Sequence, residues 1–280
     1  MNDSTPKLQL DGITKTFFPY STNERVALDN LSLSLDDGDF VTVVGSNGAG
    51  KSTLLSVVAG VYRPDRGTLY LDGRDITKLG EAATARLVGR VFQDPMAGTA
   101  PELTIEENLA IALHRGSRRG LGRGVTNAKR RHYRDVLAVI GLGLEDRLST
   151  KVAFLSGGQR QALCLVMAVA SRPAILLLDE HTAALDPARA ELITQITASE
   201  VASHQLTTLM VTHNLEQALR LGNRLVLMHE GKIELELSGE TKRQAGVDDL
   251  LTQFTLTTGG AAPDRTLLRK TEPSAKPANG

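Results

Sequence analysis

The sequence predicts an α/β fold with a mainly parallel central sheet, an antiparallel β layer near the N-terminus and a helical insert. Three patterns carry that prediction. The apolar runs Ile175-Leu-Leu-Leu178 and Leu209-Met-Val211 have strand length and are followed by polar residues, as central parallel strands covered on both faces require. Leu31, Leu33 and Leu35 alternate with serines, and Leu69 and Leu71 precede the turn Asp72-Gly73, which marks half-buried antiparallel strands. Between about residues 95 and 155 the pattern becomes helical.

In chain order, Phe40-Val-Thr-Val-Val44 reads as a buried strand and the segment from Thr53 to Ala59 as the helix after it. Val88-Gly-Arg-Val-Phe92 is strand-like. Thr104-Ile-Glu-Glu107 fits a capping box opening a helix, and so does Ser156-Gly-Gly-Gln159 before the apolar helix beyond Arg160. Asp186-Pro187 is an N-cap followed by proline at the first helical position. Arg224-Leu-Val-Leu-Met228, a turn at Glu230-Gly231 and Lys232-Ile-Glu-Leu-Glu-Leu237 form a closing hairpin. Residues 258–280 hold too few large apolar side chains to pack and are expected to be a disordered tail.

Composition narrows the function classes. The 280 residues carry 32 basic and 32 acidic side chains, so net charge gives no footprint of a nucleic-acid binder. The single cysteine, Cys164, lies in an apolar run; it excludes an intrachain disulfide and a cysteine zinc cluster and reads as core packing. The N-terminus lacks signal-peptide character and no apolar run approaches the ~20 residues that span a bilayer, so the chain is expected to be cytoplasmic, with any membrane part on another polypeptide. Residues 115–134 hold eight Arg or Lys and no acid, which is either a solvated face or a surface near anionic headgroups or acidic partner loops.

The run Gly45, Ser46, Asn47, Gly48, Ala49, Gly50, Lys51, Ser52, Thr53 fits G-x-x-x-x-G-K-[ST]. Its glycines let successive backbone N–H groups converge on an anion, Lys51 can reach β- and γ-phosphates, and Ser52 offers a hydroxyl to Mg²⁺. The strand before it and the helix after it supply the required context, with phosphate at the helix N-terminus. Asp179 ends the Ile175 to Leu178 strand and Glu180 follows it. Two adjacent acids there repel each other, a cost explained if one serves metal and the other polarises water. Two glycines in the first turn after Ser156 make a second helix start open to an anion, although capping alone accounts for the pattern. Gln93 and His213 follow apolar runs and, taken singly, are ordinary loop residues.

Taken together and in order, the phosphate loop, Gln93, Leu155-Ser-Gly-Gly-Gln159, Leu176-Leu-Leu-Asp-Glu180, Ala184-Leu-Asp186 and His213 resemble the ATP-binding subunit of ABC transporters from about Leu8 to Leu237. The resemblance implies a P-loop NTPase core with an antiparallel N-terminal β subdomain and a helical subdomain inserted at about 96–165, residues 1–257 forming one domain. It implies ATP and Mg²⁺ as ligands, with Lys51 and Ser52 on phosphate and metal, Asp179 on Mg²⁺, Gln93 on metal and attacking water, Glu180 as general base and His213 on the γ-phosphate. Phe17 would stack on adenine, with Phe18 and Tyr20 left as alternatives. Ser156, Gly157, Gly158 and Gln159 would serve the ATP of a second copy paired head to tail, and Asp186 would link the two sites. Expected partners are that second copy, an integral membrane permease and, through the permease, a solute-binding protein, which places the chain at the cytoplasmic face of the membrane.

Two departures stand out. The family commonly has proline after the glutamate and Ser-Ala before Leu-Asp, where this chain has His181 and Ala183-Ala184. His181 is either a group titrating near neutral pH or a structural residue. Gly89-Arg-Val-Phe-Gln-Asp-Pro-Met96 and Asp179-Glu-His-Thr-Ala-Ala-Leu-Asp186 look like a subgroup of bacterial uptake systems, some associated with tryptophan or related solutes. The rival readings are a soluble ABC ATPase of the iron–sulfur-assembly or phosphonate-breakdown type, and a binding-only nucleotide scaffold, which would have no need of Glu180.

Overall fold

A computed structural model of the chain describes residues 5–115 and 124–257. Ten strands are present among them: β1 Leu8–Phe17, β2 Arg25–Leu35, β3 Phe40–Gly45, β4 Arg66–Leu71, β5 Arg74–Asp75, β6 Val88–Val91, β7 Ile175–Asp179, β8 Thr208–Val211, β9 Arg224–His229 and β10 Lys232–Ser238. The helices are α1 Lys51–Val58, α2 Glu81–Thr84, α3 Ile105–Leu113, α4 Asn127–Ala138, α5 Gly157–Ala170, α6 Pro187–His204, α7 Leu215–Arg220, α8 Gly239–Gln244 and α9 Val247–Thr257.

Two sheets divide the strands as their apolar patterns require. The alternating strands form an antiparallel sheet in the order β2-β1-β4-β5, with leucines turned inward. The continuous apolar strands form the centre of a six-stranded sheet, β10-β9-β3-β8-β7-β6, in which β3 pairs in parallel with both β8 and β9, and β7 with both β8 and β6. Only β10 runs antiparallel there, returning through the expected hairpin. Every residue of β3 is buried, consistent with cover on both faces.

One core cluster joins the sheets through α1: Leu8, Leu28 and Leu35 from the first sheet meet Leu54 and Val57 of α1 and Val43, Leu177 and Leu209 of the second. The helical insert has its own cluster, in which Leu109 of α3, Tyr133 and Leu137 of α4 and Leu163 of α5 pack together. Both expected capping boxes are present: Thr104 and Glu107 open α3, and Ser156 and Gln159 open α5. α1 begins at Lys51, two residues before the expected Thr53, because Gly50 at φ 99° turns the chain so that its carbonyl already accepts from Leu54 N–H at 2.8 Å. The second half of the basic stretch forms α4; residues 116–123 and the tail at 258–280 lie outside the described residues. No helix among the described residues is long and apolar enough to cross a membrane.

Candidate functional site

Register places the ends of the parallel strands level with one another. Val43 of β3 and Asp179 of β7 both face Val211 of β8, and Val91 of β6 faces Leu178. The loops after β3, β6, β7 and β8 therefore leave from one carboxyl edge, the edge at which open α/β sheets bind ligands. Those loops carry residues 45–50, Gln93, Glu180 and His213.

The loop after β3 is held by backbone contacts that leave no room for a side chain at Gly45 or Gly50. A Cβ on Gly50 would collide with the carbonyl oxygen of Ala27, and one on Gly45 with that of Met228. α1 starts with no side-chain cap. Lys51 is buried, and its ammonium donates to the carbonyl oxygens of Gly45 at 2.7 Å and Ser46 at 2.9 Å, which draws the loop around it. Ser52, in the first turn, is exposed. From the first sheet, Arg25 donates to Gly48 O at 2.7 Å. Arg25 is the register partner of Phe17, so this contact sets the Phe17 strand beside the loop. Phe17 is partly buried, edge-on to Tyr62 with ring centroids 5.1 Å apart, whereas Phe18 and Tyr20 are exposed in left-handed backbone.

At the end of β7 the two carboxylates diverge. Asp179 accepts from Arg90 of β6 at 3.1 Å, and the Arg90 guanidinium lies 4.7 Å from the centre of the Phe92 ring. Glu180 takes the other direction: its φ is 43°, a left-handed conformation costly for a side-chain-bearing residue, while its N–H still bonds Val211 O at 3.0 Å. That twist brings its Oε2 to 3.4 Å from His213 Nδ1. The hydrogen bond with His213 holds the Glu180 carboxyl below the usual glutamate range, against burial, which pushes the other way. Glu180 is thus ionised at neutral pH.

The start of α5 is packed against the loop between β7 and α6 and the first turn of α6. Gly157 stands against Leu185, and Gly158 against Arg189, whose N–H is capped by Asp186 at 3.2 Å. Ser156 accepts from Gln159 N–H, and Gln161 of α5 donates to Phe92 O at 3.3 Å, linking this helix to the loop that bears the exposed Gln93. His181 is wholly enclosed, with Nε2 3.0 Å from Thr197 Oγ1, and burial pushes it down to about 4. Of the two expectations for it, the structural one fits this enclosure, since burial disfavours the charged imidazole.

Sequence reasoning missed Arg25 and Arg90. Arg90 left a signal, a charge inside the apolar strand Val88-Gly-Arg-Val91, while Arg25 left none, since its role depends on the pairing of β1 with β2.

Residues 28–183 match the ABC transporter family model. The chain belongs to the ABC transporter family. It is 42% identical over 248 residues to the tyrosine transport ATP-binding protein of Clostridioides difficile, covering 88% of this chain and 98% of the relative. It is 32% identical to the energy-coupling factor transporter ATP-binding protein EcfA2 of Acetivibrio thermocellus, covering 81% of this chain and 78% of that protein. A dimeric ATP-binding cassette solved in a post-hydrolysis state with ADP and Pi superposes with a TM-score of 0.71 at 30% identity, covering 82% of this chain and 98% of that one. The cassette is accordingly the ATP-binding, ATP-hydrolysing subunit of a transporter.

Proposed function

We propose that this cassette powers import of a small solute through a separate membrane permease, by closing on ATP as a head-to-tail dimer and reopening after hydrolysis. The observation that carries the catalytic part is the convergence at one sheet edge of a glycine-rich phosphate loop, a carboxylate at the end of β7 and an ionised Glu180 paired with His213. In this reading residues 1–257 act as one unit and the helical insert presents the start of α5 to the partner copy.

The residues divide the work by chemistry. The N–H groups of residues 45–53 and the Lys51 ammonium cradle the phosphates, and Phe17 stacks on adenine. Ser52, Gln93 and Asp179 offer hydroxyl, amide and carboxylate oxygens, a hard donor set that fits Mg²⁺ retaining some of its waters and substrate oxygens. When bound, Mg²⁺ neutralises charge on the β- and γ-phosphate oxygens. Glu180 takes a proton from the attacking water and His213 donates to the γ-phosphate. Ser156, Gly157, Gly158 and Gln159 engage the ATP of the partner copy, while Asp186 relays between the two sites.

Import is supported by relatives whose names specify it, such as the methionine import ATP-binding protein MetN of Brucella abortus, 33% identical over 83% of this chain and 60% of that protein. The relative named for tyrosine transport favours an aromatic amino acid or a related solute as cargo, in line with the tryptophan-type subgroup. The test is Glu180→Gln: turnover falls by about 10² to 10⁴-fold, ATP binding persists, and an ATP-dependent dimer accumulates on gel filtration. Wild-type turnover in that variant would remove Glu180 as the base. Pull-down from detergent-solubilised host membranes should recover a polytopic protein in equal amount; recovery of soluble partners alone would refute the transporter assignment.

A further inference from the structure

Behind the catalytic edge lies a buried polar cluster that the proposed chemistry does not use. Gln217 of α7 is 6% exposed, and its side-chain amide reaches three threonines on different elements. Its Oε1 accepts from Thr212 Oγ1 at 2.8 Å; its Nε2 donates to Thr194 Oγ1 at 2.8 Å and to Thr182 Oγ1 at 3.3 Å. Thr212 directly precedes His213, Thr182 is two residues beyond Glu180, and Thr194 belongs to α6, which Asp186 caps.

Hydrogen bookkeeping fixes the direction of every bond. Thr194 spends its one hydroxyl proton on Ala190 O at 2.7 Å, so its oxygen can only accept from the amide N–H. Thr212 accepts from Asn214 N–H at 3.1 Å, and its proton goes to the amide oxygen. The site therefore calls for one acceptor and a forked donor on a single side chain, which glutamine supplies and glutamate does not. A buried amide contributes little net stability over an apolar side chain of the same shape, but a fully satisfied network fixes one arrangement of the segments it joins. Those segments are the ones that hold Glu180 in its left-handed conformation and His213 3.4 Å away.

We propose that Gln217 is a positioning residue for hydrolysis: its amide locks the Glu180 loop, the His213 loop and α6 into one body, so that the base, the γ-phosphate contact and the Asp186 relay move together. The inference rests on the roles given to Glu180 and His213 above.

The test compares wild type with Gln217→Met, which keeps length and volume but loses all three hydrogen bonds. With Glu180 and His213 displaced but the phosphate-loop contacts that dominate ATP binding kept, kcat should fall about ten- to a hundred-fold, while KM and the equilibrium affinity for ATP stay within about twofold. Adding His213→Ala to Gln217→Met should cost clearly less in kcat than adding it to wild type, because the misplaced His213 has already lost its role. A folded Gln217→Met with wild-type kcat overturns the proposal, as does full additivity with His213→Ala. If Gln217→Met does not fold, Thr182→Val, which removes one bond to Gln217, and Thr212→Val, which removes its bond to Gln217 and the one it accepts from Asn214 N–H, decide by the same split between kcat and KM. Glu180→Gln run in parallel separates the two levels: wild-type turnover there refutes the catalytic reading, whereas loss there with normal Gln217→Met refutes the positioning role alone.

Discussion

Acid should destabilise this cassette through His181, and replacing that histidine should remove most of the effect. Burial pushes the imidazole from its ordinary 6.5 down to about 4, and its Nδ1 is buried with no hydrogen-bond partner among the described residues, so the folded chain keeps it neutral. Between those two values the unfolded chain binds a proton that the folded chain refuses. Stability therefore rises with pH across this window, is fully present above the unfolded value and is lost as pH falls through the folded one. One proton over that interval amounts to about 3 kcal/mol, of which about 2 kcal/mol has gone by pH ~5.

His181→Met fills the same space without a titrating group. At neutral pH it should cost about 1 kcal/mol for the bond to Thr197, whose hydroxyl still has Ile193 O at 2.7 Å. Urea unfolding of both proteins near pH ~7.5 and pH ~5 gives four free energies. Groups shared by both proteins, including the depressed carboxyls of Asp39 and Glu180, cancel in the comparison. Wild type should lose about 2 kcal/mol more than His181→Met on acidification. Equal losses would show that His181 titrates normally in the folded chain and would refute its enclosure.

Two further outcomes follow from local geometry. Gly50→Ala places a Cβ against the carbonyl of Ala27 at a φ of 99°, so the loop must shift; ATP affinity should fall by at least about tenfold, and an unchanged nucleotide titration would contradict the tight packing of the loop. Cys164 is 4% exposed with its thiol pushed up to about 12 by burial, so a thiol reagent at pH ~8 should label it only after unfolding in urea, and prompt labelling of the native protein would refute that burial.

The parts whose signal is local are legible in neighbouring residues. The strands β3, β7 and β8 are apolar runs, the turns and caps are set by residues at offsets of one to four positions, and the phosphate loop announces itself because its backbone conformation demands glycine at fixed spacing. Asp179 and Glu180 were legible as a site because adjacent acids ending a buried strand carry a cost that chemistry explains. What each of these faces depends on how distant segments pack. Arg90 reaches Asp179 across 89 positions, and Gln217 reaches Thr182 across 35, through the register of parallel strands and the packing of α6 and α7. His181 illustrates the division: its identity allowed two protonation behaviours, and its enclosure against α6 selected the neutral one. Hydrogen bonds within a turn are written in neighbouring residues, whereas desolvation and long-range pairing are properties of the assembled core, which no short stretch of sequence contains.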